Sequence, residues 1–146
     1  MRLKGLVAIV TGASQGLGRA IALRFAKEGA HVVICGRDAR TIEEAARDIR
    51  RSGSVEALRA DVSIDRDVDR LAAAALKPHG RIDVLVNNAS LLTPRAPLHQ
   101  VRLPDWDLSM AVNVRGPFLC TRAVLPHMLK QRAGSIINVS SGAGKR

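Results

Sequence analysis

The segment Val7-Ala8-Ile9-Val10-Thr11-Gly12-Ala13-Ser14-Gln15-Gly16-Leu17-Gly18-Arg19 runs from β-branched residues into a turn that contains three glycines. The residues that follow, 20–27, place apolar side chains at helical spacing. A strand, a glycine-rich turn and a helix are the local context of a dinucleotide-binding loop. Glycines let the turn adopt positive φ and let a pyrophosphate approach the backbone. The helix presents N–H groups and a positive dipole end to the phosphates.

A second interpretation of this turn is a hydrolase active site. Gly12-Ala13-Ser14-Gln15-Gly16 matches the Gly-x-Ser-x-Gly elbow that carries a nucleophilic serine. That elbow requires an earlier strand and an oxyanion loop, and the roughly one dozen residues upstream are too few for both. A hydrolase with Ser14 as its nucleophile therefore stays the weaker alternative. A Walker loop is excluded because no Gly-Lys-Ser/Thr follows.

Length and composition indicate one domain. The chain has 146 residues, of which 47% are apolar, and this is enough for a core. We interpret residues 1–146 as a single nucleotide-binding domain. No apolar run reaches the length of a membrane span and no signal peptide precedes the first strand, so we expect no membrane association. Cys35 and Cys120 lie in apolar settings without metal-ligand spacing, which predicts buried free thiols and a cytoplasmic location.

The basic charge raises the question of a nucleic-acid partner. The formal net charge is +10, but two Phe, one Trp and no Tyr leave few groups for stacking on bases. The basic residues are also scattered along the chain and form no single run. We therefore expect no nucleic-acid binding, and a basic surface that steers an anionic cofactor.

Strand and helix patterns alternate along the chain. Apolar runs predict strands at residues 6–10, 31–35, 55–60, 82–87 and 135–139. This alternation indicates βαβ units and a parallel sheet with right-handed crossovers. Ligands of such sheets bind at the carboxyl ends of the strands. Polar residues or glycines follow every predicted strand, at 11–18, 36–38, 61–62, 87–90 and 140–144.

Local signals also predict where the helices begin and end. Asp38 or Thr41 is expected to cap the second helix, and Ser63 the third. Residues 91–102 are predicted as a loop or broken helix. A longer helical region follows from about residue 105 to 130, and we expect interruptions around Gly116-Pro117 and at Pro126.

Several motifs fall in a characteristic order: Thr11-Gly12-x-x-x-Gly16-x-Gly18, Asp61-Val62, Asn87-Asn88-Ala89, Asn113 and Ser141. In this order and spacing they resemble the short-chain dehydrogenases/reductases, and the resemblance covers the whole chain. Each motif alone is weak, whereas together they are specific. The resemblance implies an α/β fold, a Rossmann-like doubly wound parallel sheet of order 3-2-1-4-5, incomplete at its C-terminal side.

The resemblance also implies a nicotinamide cofactor that lies across the strand ends. Its phosphate turn would consist of Gly12, Gly16 and Gly18, lined by Ser14, Gln15 and Leu17. Asp61 would accept a hydrogen bond from the adenine amino group, beside the Val62 backbone. Asn88 and Ala89 would flank the adenosine ribose. Ser90 stands where the family usually has Gly, which costs little if its φ is negative.

The end of the second strand indicates which nicotinamide cofactor is preferred. An acidic residue there would bind the ribose hydroxyls of NAD and repel a phosphate. This chain has Gly36, which leaves room, followed by Arg37, whose guanidinium can hold a 2′-phosphate bidentately. We therefore predict NADP(H), with NAD as the less favoured cofactor. Asp38 weakens this argument slightly.

For the reaction, the resemblance implies hydride transfer between the nicotinamide and a small carbonyl or alcohol substrate. Ser141 would hydrogen-bond the substrate oxygen, and Asn113 would orient a water in a proton relay. A Tyr would transfer the proton, and a Lys four residues later would lower the pKa of that Tyr.

The chain departs from the family in one respect, because it contains no Tyr. The Tyr-x-x-x-Lys motif would follow Ser141 after residue 146. We therefore expect a fragment of an ordinary enzyme, inactive and poorly soluble by itself, and a homo-oligomer when full length. The alternative is a non-catalytic nucleotide-binding fragment or regulator.

Overall fold

Five strands and five α-helices make up most of the computed structural model, which describes residues 1–92 and 95–141. The strands are β1 Val7–Thr11, β2 His31–Gly36, β3 Val55–Arg59, β4 Val84–Asn87 and β5 Ser135–Asn138. The helices are α1 Gly16–Lys27, α2 Ala39–Arg50, α3 Asp65–His79, α4 Leu103–Met110 and α5 Gly116–Gln131. A short 3₁₀ turn covers Leu98–Gln100, within the segment predicted as a loop or broken helix.

The strands form one parallel sheet in the order β3-β2-β1-β4-β5, which confirms the predicted fold. β1 lies at the centre, between β2 and β4, and all five of its residues are buried. A strand covered on both faces has no solvent side, so its sequence is continuously apolar rather than alternating. The segment that contains the glycine turn therefore begins on the most enclosed strand.

Helices cover both faces of the sheet. Ile9 and Val33 pack on one face, in a core shared with α3 and α5. Val10 and Ile34 pack on the other face, in a core shared with α1 and α2. Neighbouring residues of one strand point to opposite faces, so each strand supplies both cores. Cys35 and Cys120 are buried as free thiols in the first of these cores.

A predicted N-cap is present at the start of α2, whereas the one predicted for α3 is not. The Asp38 carboxylate accepts a hydrogen bond from the Thr41 N–H at 2.7 Å and caps α2, as one of the two predicted caps. The prediction that Ser63 caps α3 is wrong. Ile64 occupies that N-cap position, and the Ser63 hydroxyl donates to the Asp61 carboxylate at 2.6 Å instead. Both the N–H and the hydroxyl of Ser63 donate to the Asp61 carboxylate, in a local turn that competes with capping.

The long helical region differs from the prediction in its interruptions. It begins at Leu103 and contains a π-helical segment, Ala111–Arg115, immediately before α5. Pro117, which has no backbone N–H to donate, lies in the first turn of α5, directly after the π-helical segment. No break occurs at Pro126, which lies inside α5. The change in helical geometry is therefore placed just ahead of the predicted Gly116-Pro117 site.

Among the described strands, β5 is the outermost on its side of the sheet, and Ile137 and the following Val139 remain partly exposed. Of the predicted loop after β5, Ser140 and Ser141 are described, whereas Gly142-Ala143-Gly144 lies outside the described residues. Within residues 1–92 and 95–141, no helix is long and apolar enough to cross a membrane.

Candidate functional site

A cleft of about 1260 Å³ opens at the carboxyl ends of the strands. It gathers all the site residues predicted from the sequence: Gly12, Ser14, Gln15, Gly16, Leu17, Gly18, Arg37, Asp61, Val62, Asn88, Ala89, Asn113 and Ser141. These residues come from separate segments of the chain, between residues 12 and 141. The parallel sheet brings them together because all its carboxyl ends lie at one edge.

The glycines of the first turn are required for different reasons. Gly12 and Gly16 have φ of +65° and +57°, in the left-handed region that other residues rarely adopt. A Cβ at Gly12 would lie 2.6 Å from the Ala89 Cα, whereas one at Gly16 would meet no atom within 4 Å. Gly18 has no positive φ, but a Cβ there would lie 2.6 Å from the Gly12 carbonyl oxygen. The turn is thus folded tightly on itself and open towards the cleft at Gly16.

The start of α1 is suited to an anion. Gln15 occupies its N-cap position without a side-chain capping bond, and the first turn contains no acidic residue. The first N–H groups of a helix have no intrahelical acceptor, and the dipole adds a partial positive charge. These N–H groups lie beside the glycine turn, so the residues present fit the diphosphate of a dinucleotide.

A threonine at the end of β1 holds the neighbouring segment in place. The Thr11 hydroxyl oxygen accepts hydrogen bonds from the Asn88 and Ala89 N–H groups, both at 3.0 Å. The Asn88 side-chain amide donates to the carbonyl oxygens of Thr11 and Gly12 at 2.9 and 3.1 Å. Sequence reasoning included Thr11 in the motif but assigned it no role. A hydroxyl at the end of an otherwise apolar buried strand was the available signal.

The last residue of β4 also stabilises the sheet itself. The Asn87 side-chain amide donates to the side-chain carbonyl oxygen of Asn138 at 2.8 Å, which joins β4 to β5. Among the described residues, Arg132 is the non-glycine residue with positive φ, so Ser90 does not have one. Serine at this position, where a glycine is usual in the family that the sequence resembles, therefore causes no backbone strain.

The predicted adenine contact, Asp61, is fixed in a turn. Its Oδ1 accepts from the Ser63 N–H at 2.9 Å and from the Ser63 hydroxyl, and its own N–H donates to Asp67 Oδ2 at 2.9 Å. Within the described chain, no hydrogen bond engages Asp61 Oδ2. The carboxylate is therefore held rigidly with one oxygen available. The part that Asp67 plays in this turn was not predicted.

Gly36 and Arg37 form the far end of the cleft. A Cβ at Gly36 would collide with the Ser14 hydroxyl, so the glycine allows these two loops to approach. Arg37 is exposed, and no carboxylate of the described residues pairs with its guanidinium. The backbone N–H of Thr41 lowers the pKa of Asp38, whose charge is thereby directed to the N-terminus of α2. Asp38 therefore stays ionised next to Arg37, with its carboxylate bonded to the start of α2.

The opposite end of the cleft contains the two predicted catalytic residues. Asn113 lies in the π-helical segment; its Oδ1 accepts from the Leu91 N–H at 2.8 Å and its Nδ2 donates to the Leu91 carbonyl oxygen at 2.9 Å. Ser141 is exposed at the cleft wall.

Cys35 also lines the cleft, but burial raises the pKa of its thiol to about 12, which excludes it as a thiolate nucleophile near neutral pH. The described residues contain no group of three His, Cys, Asp or Glu side chains that could hold a metal ion.

Comparison with known proteins identifies the family. The family model described as short chain dehydrogenase matches residues 6–146. The chain belongs to the short-chain dehydrogenase family. Members of this family are oxidoreductases that bind nicotinamide cofactors. Family membership also removes the basis for treating Ser14 as the nucleophile of a hydrolase.

Individual short-chain dehydrogenases are similar over nearly the whole chain. The 2-(R)-hydroxypropyl-CoM dehydrogenase of Xanthobacter autotrophicus is 48% identical, over 94% of this chain and 56% of its own length. A metagenomic short-chain oxidoreductase solved in complex with NADP has a TM-score of 0.93 and 41% identity, and the match covers all of this chain and 66% of that one. NAD⁺-bound xylitol dehydrogenase has a TM-score of 0.95 and 30% identity, over 100% and 56% of the two chains.

These matches leave part of each relative uncovered. The chain spans a little over half the length of curated relatives that it matches. One of the two similar structures binds NADP and the other NAD⁺, so the fold is compatible with either cofactor.

Proposed function

We propose that the protein is an NADP(H)-preferring oxidoreductase that transfers a hydride between the nicotinamide and a small carbonyl or alcohol substrate. The observation that carries this proposal is the exposed Arg37 guanidinium, which follows Gly36 at the cleft and pairs with no carboxylate of the described residues. An uncompensated guanidinium favours a phosphate, and there is no acidic side chain at the Gly36 position to receive ribose hydroxyls.

The glycine turn supports binding of the diphosphate. The N–H groups at the start of α1 have no side-chain cap and would donate to phosphate oxygens. Asp61 Oδ2 would accept from the adenine amino group, while its Oδ1 stays bonded to Ser63. The bound nicotinamide supplies hydride transfer. All other contributions come from the protein as binding, orientation and proton transfer.

At the substrate end, Ser141 would hydrogen-bond the substrate oxygen and hold it in line for the reaction. Asn113 would serve in the proton relay, and its two bonds to the Leu91 backbone keep its side chain in a single orientation. Residues 1–146 contain no Tyr, so they do not include the proton donor of the family. We therefore expect these residues by themselves to bind nucleotide but not to turn over substrate.

We further propose a cytoplasmic location and self-assembly. The two buried free thiols support a reducing compartment. Exposed apolar side chains on α4 and α5, among them Trp106, Phe118 and Leu129, support assembly through these helices.

The cofactor proposal is tested by titration of the full chain with NADPH and NADH, followed by nicotinamide fluorescence. We expect NADPH to bind at least several-fold more tightly than NADH. Arg37→Ala should abolish this preference, because it should weaken the binding of NADPH and leave that of NADH unchanged. Arg51→Met, which removes an arginine charge after the far end of α2, is the control and should leave both affinities unchanged. Equal affinities for the two nucleotides, or an unchanged ratio in Arg37→Ala, would contradict the proposal.

A further inference from the structure

A second, smaller cavity of about 390 Å³ adjoins the cleft beside Arg37. Its lining consists of Arg37, Arg59, Asp61, Ile64, Asp67 and Arg70. Three guanidinium groups and two carboxylates thus surround a space large enough for a phosphate group. The balance of charge in this cavity depends on which of these groups are already paired.

The three arginines differ in their partners. Arg70 Nη1 pairs with Asp67 Oδ1 at 2.9 Å, so its charge is compensated within the cavity. Arg59 and Arg37 pair with no carboxylate of residues 1–92 and 95–141. Arg59 Nε donates to the Arg37 carbonyl oxygen at 3.2 Å, and this bond leaves the two terminal nitrogens of the Arg59 guanidinium for another acceptor.

The sheet register explains why Arg59 lies there. In the β2–β3 ladder, Gly36 is directly opposite Arg59, and the Ala60 N–H donates to the Gly36 carbonyl oxygen at 3.0 Å. Neighbouring strands are about 4.8 Å apart, so Arg59 begins one strand spacing from the residue that precedes Arg37. The carbonyl oxygen of Arg59 is itself bound by Arg70 Nη2 at 3.1 Å. The backbone at the end of β3 is therefore held against the end of β2.

We propose that Arg59 is a specificity-determining residue, which provides a second guanidinium for the 2′-phosphate of NADP(H). This inference rests on the proposed NADP(H) preference and adds a residue from β3 to the site. A phosphate monoester carries close to two negative charges and three acceptor oxygens, more than one guanidinium can satisfy. Arg37 and Arg59 approach this site from adjacent strands, and together they match the charge of the group.

The test uses Arg59→Met in the full chain, because Met keeps an unbranched apolar side chain and removes the charge. The dissociation constants of NADPH and NADH, which differ only in the 2′-phosphate, are measured by fluorescence titration and calorimetry. We expect Arg59→Met to raise the constant for NADPH about tenfold or more, as for a lost hydrogen bond to a charged group, and to leave that for NADH unchanged.

The matched control is Arg51→Met. Arg51 follows α2, the helix that starts beside Arg37, and the axis of Ala39–Arg50 separates the two by about 18 Å. That separation exceeds the screening length of about 8 Å at physiological ionic strength, so a charge lost there should not reach the phosphate. Asp48 keeps its ion pair with Arg19 in this variant. We expect the NADPH and NADH constants of Arg51→Met to equal those of the unchanged protein.

Three results would overturn the inference. An unchanged NADPH constant in Arg59→Met, with preference lost in Arg37→Ala, would leave the proposed function intact and remove Arg59 from the site. Equal weakening of NADPH and NADH would assign Arg59 a structural role at the β2–β3 edge. If the unchanged protein does not prefer NADPH, the proposed cofactor preference fails first, and the role of Arg59 fails with it.

Discussion

Two glycines of the phosphate turn allow backbone strain and crowding to be measured separately. Gly12 and Gly16 both have positive φ, at +65° and +57°, so alanine at either position carries the same kind of backbone penalty. Their surroundings differ, because a methyl group at Gly12 would lie 2.6 Å from the Ala89 Cα while one at Gly16 has no atom within 4 Å. Gly16→Ala therefore reports strain alone, and Gly12→Ala reports strain and crowding together.

The magnitudes follow from these surroundings. A non-glycine residue in the left-handed region costs about 1–2 kcal/mol, which is the whole expected effect of Gly16→Ala on the free energy of unfolding. In Gly12→Ala the Ala89 backbone must also move, which weakens its 3.0 Å hydrogen bond to the Thr11 hydroxyl. Crowding of a packed site costs about 1–3 kcal/mol and a lost hydrogen bond about 1 kcal/mol. We expect about 4 kcal/mol in total for Gly12→Ala.

Urea denaturation of both variants, followed by far-ultraviolet circular dichroism, measures the difference directly. Equal losses of stability in Gly12→Ala and Gly16→Ala would refute the reasoning, because the contact with Ala89 would then contribute nothing.

The substitution that costs less stability, Gly16→Ala, should nevertheless weaken nucleotide binding. Gly16 lines the cleft, and its added methyl would occupy open space at the start of α1. Gly16→Ala should therefore weaken NADPH about tenfold while the protein stays folded.

Three further predictions concern the surroundings of the site. Thr11→Val leaves two backbone N–H groups after β4 without their acceptor and should reduce the free energy of unfolding by about 2 kcal/mol, whereas Thr11→Ser keeps the hydroxyl; equal losses in urea denaturation would contradict this. Burial raises the pKa of Cys35 and Cys120 to about 12, so iodoacetamide at about pH 8 should label neither thiol until urea is added, as read by mass spectrometry. Burial lowers the pKa of His31, so the unfolded chain takes up a proton near pH 6.5 while the folded imidazole stays neutral. The free energy of unfolding should consequently fall as the pH is lowered from about 7 to about 5, and a pH-independent stability in that window would exclude this role for His31.

The sheet and the location of the cleft could be predicted because they depend on rules that are local or topological. Continuous apolar runs identified the buried strands, and alternation with helices indicated a parallel sheet. Once the strands are parallel, the polar residues that follow them must share one edge. Thr11, Asp61 and Asn88 are therefore predicted to lie at the same edge of the sheet, although 77 positions separate Thr11 from Asn88 in sequence.

The sequence does not show which polar groups satisfy one another. Ser63 looked like a helix cap because its residue type is common there, but the carboxylate of Asp61, two residues earlier, binds it instead. Arg59 was overlooked because its proximity to Arg37 depends on the register between β2 and β3, which no local signal specifies. The π-helical segment was likewise not predictable, since five residues between two α-helical segments are too few to show a period of their own.

The segment after β4 explains why the two ends of the cleft are positioned relative to each other. At one end, the backbone N–H groups of Asn88 and Ala89 bind the Thr11 hydroxyl and fix the segment to the phosphate turn. Two residues later, the N–H and carbonyl groups of Leu91 bind the side chain of Asn113. The segment limits how far apart these attachments can lie, since four residues span at most about 14 Å. Paired backbone groups of the protein therefore connect the phosphate turn to the substrate end of the cleft.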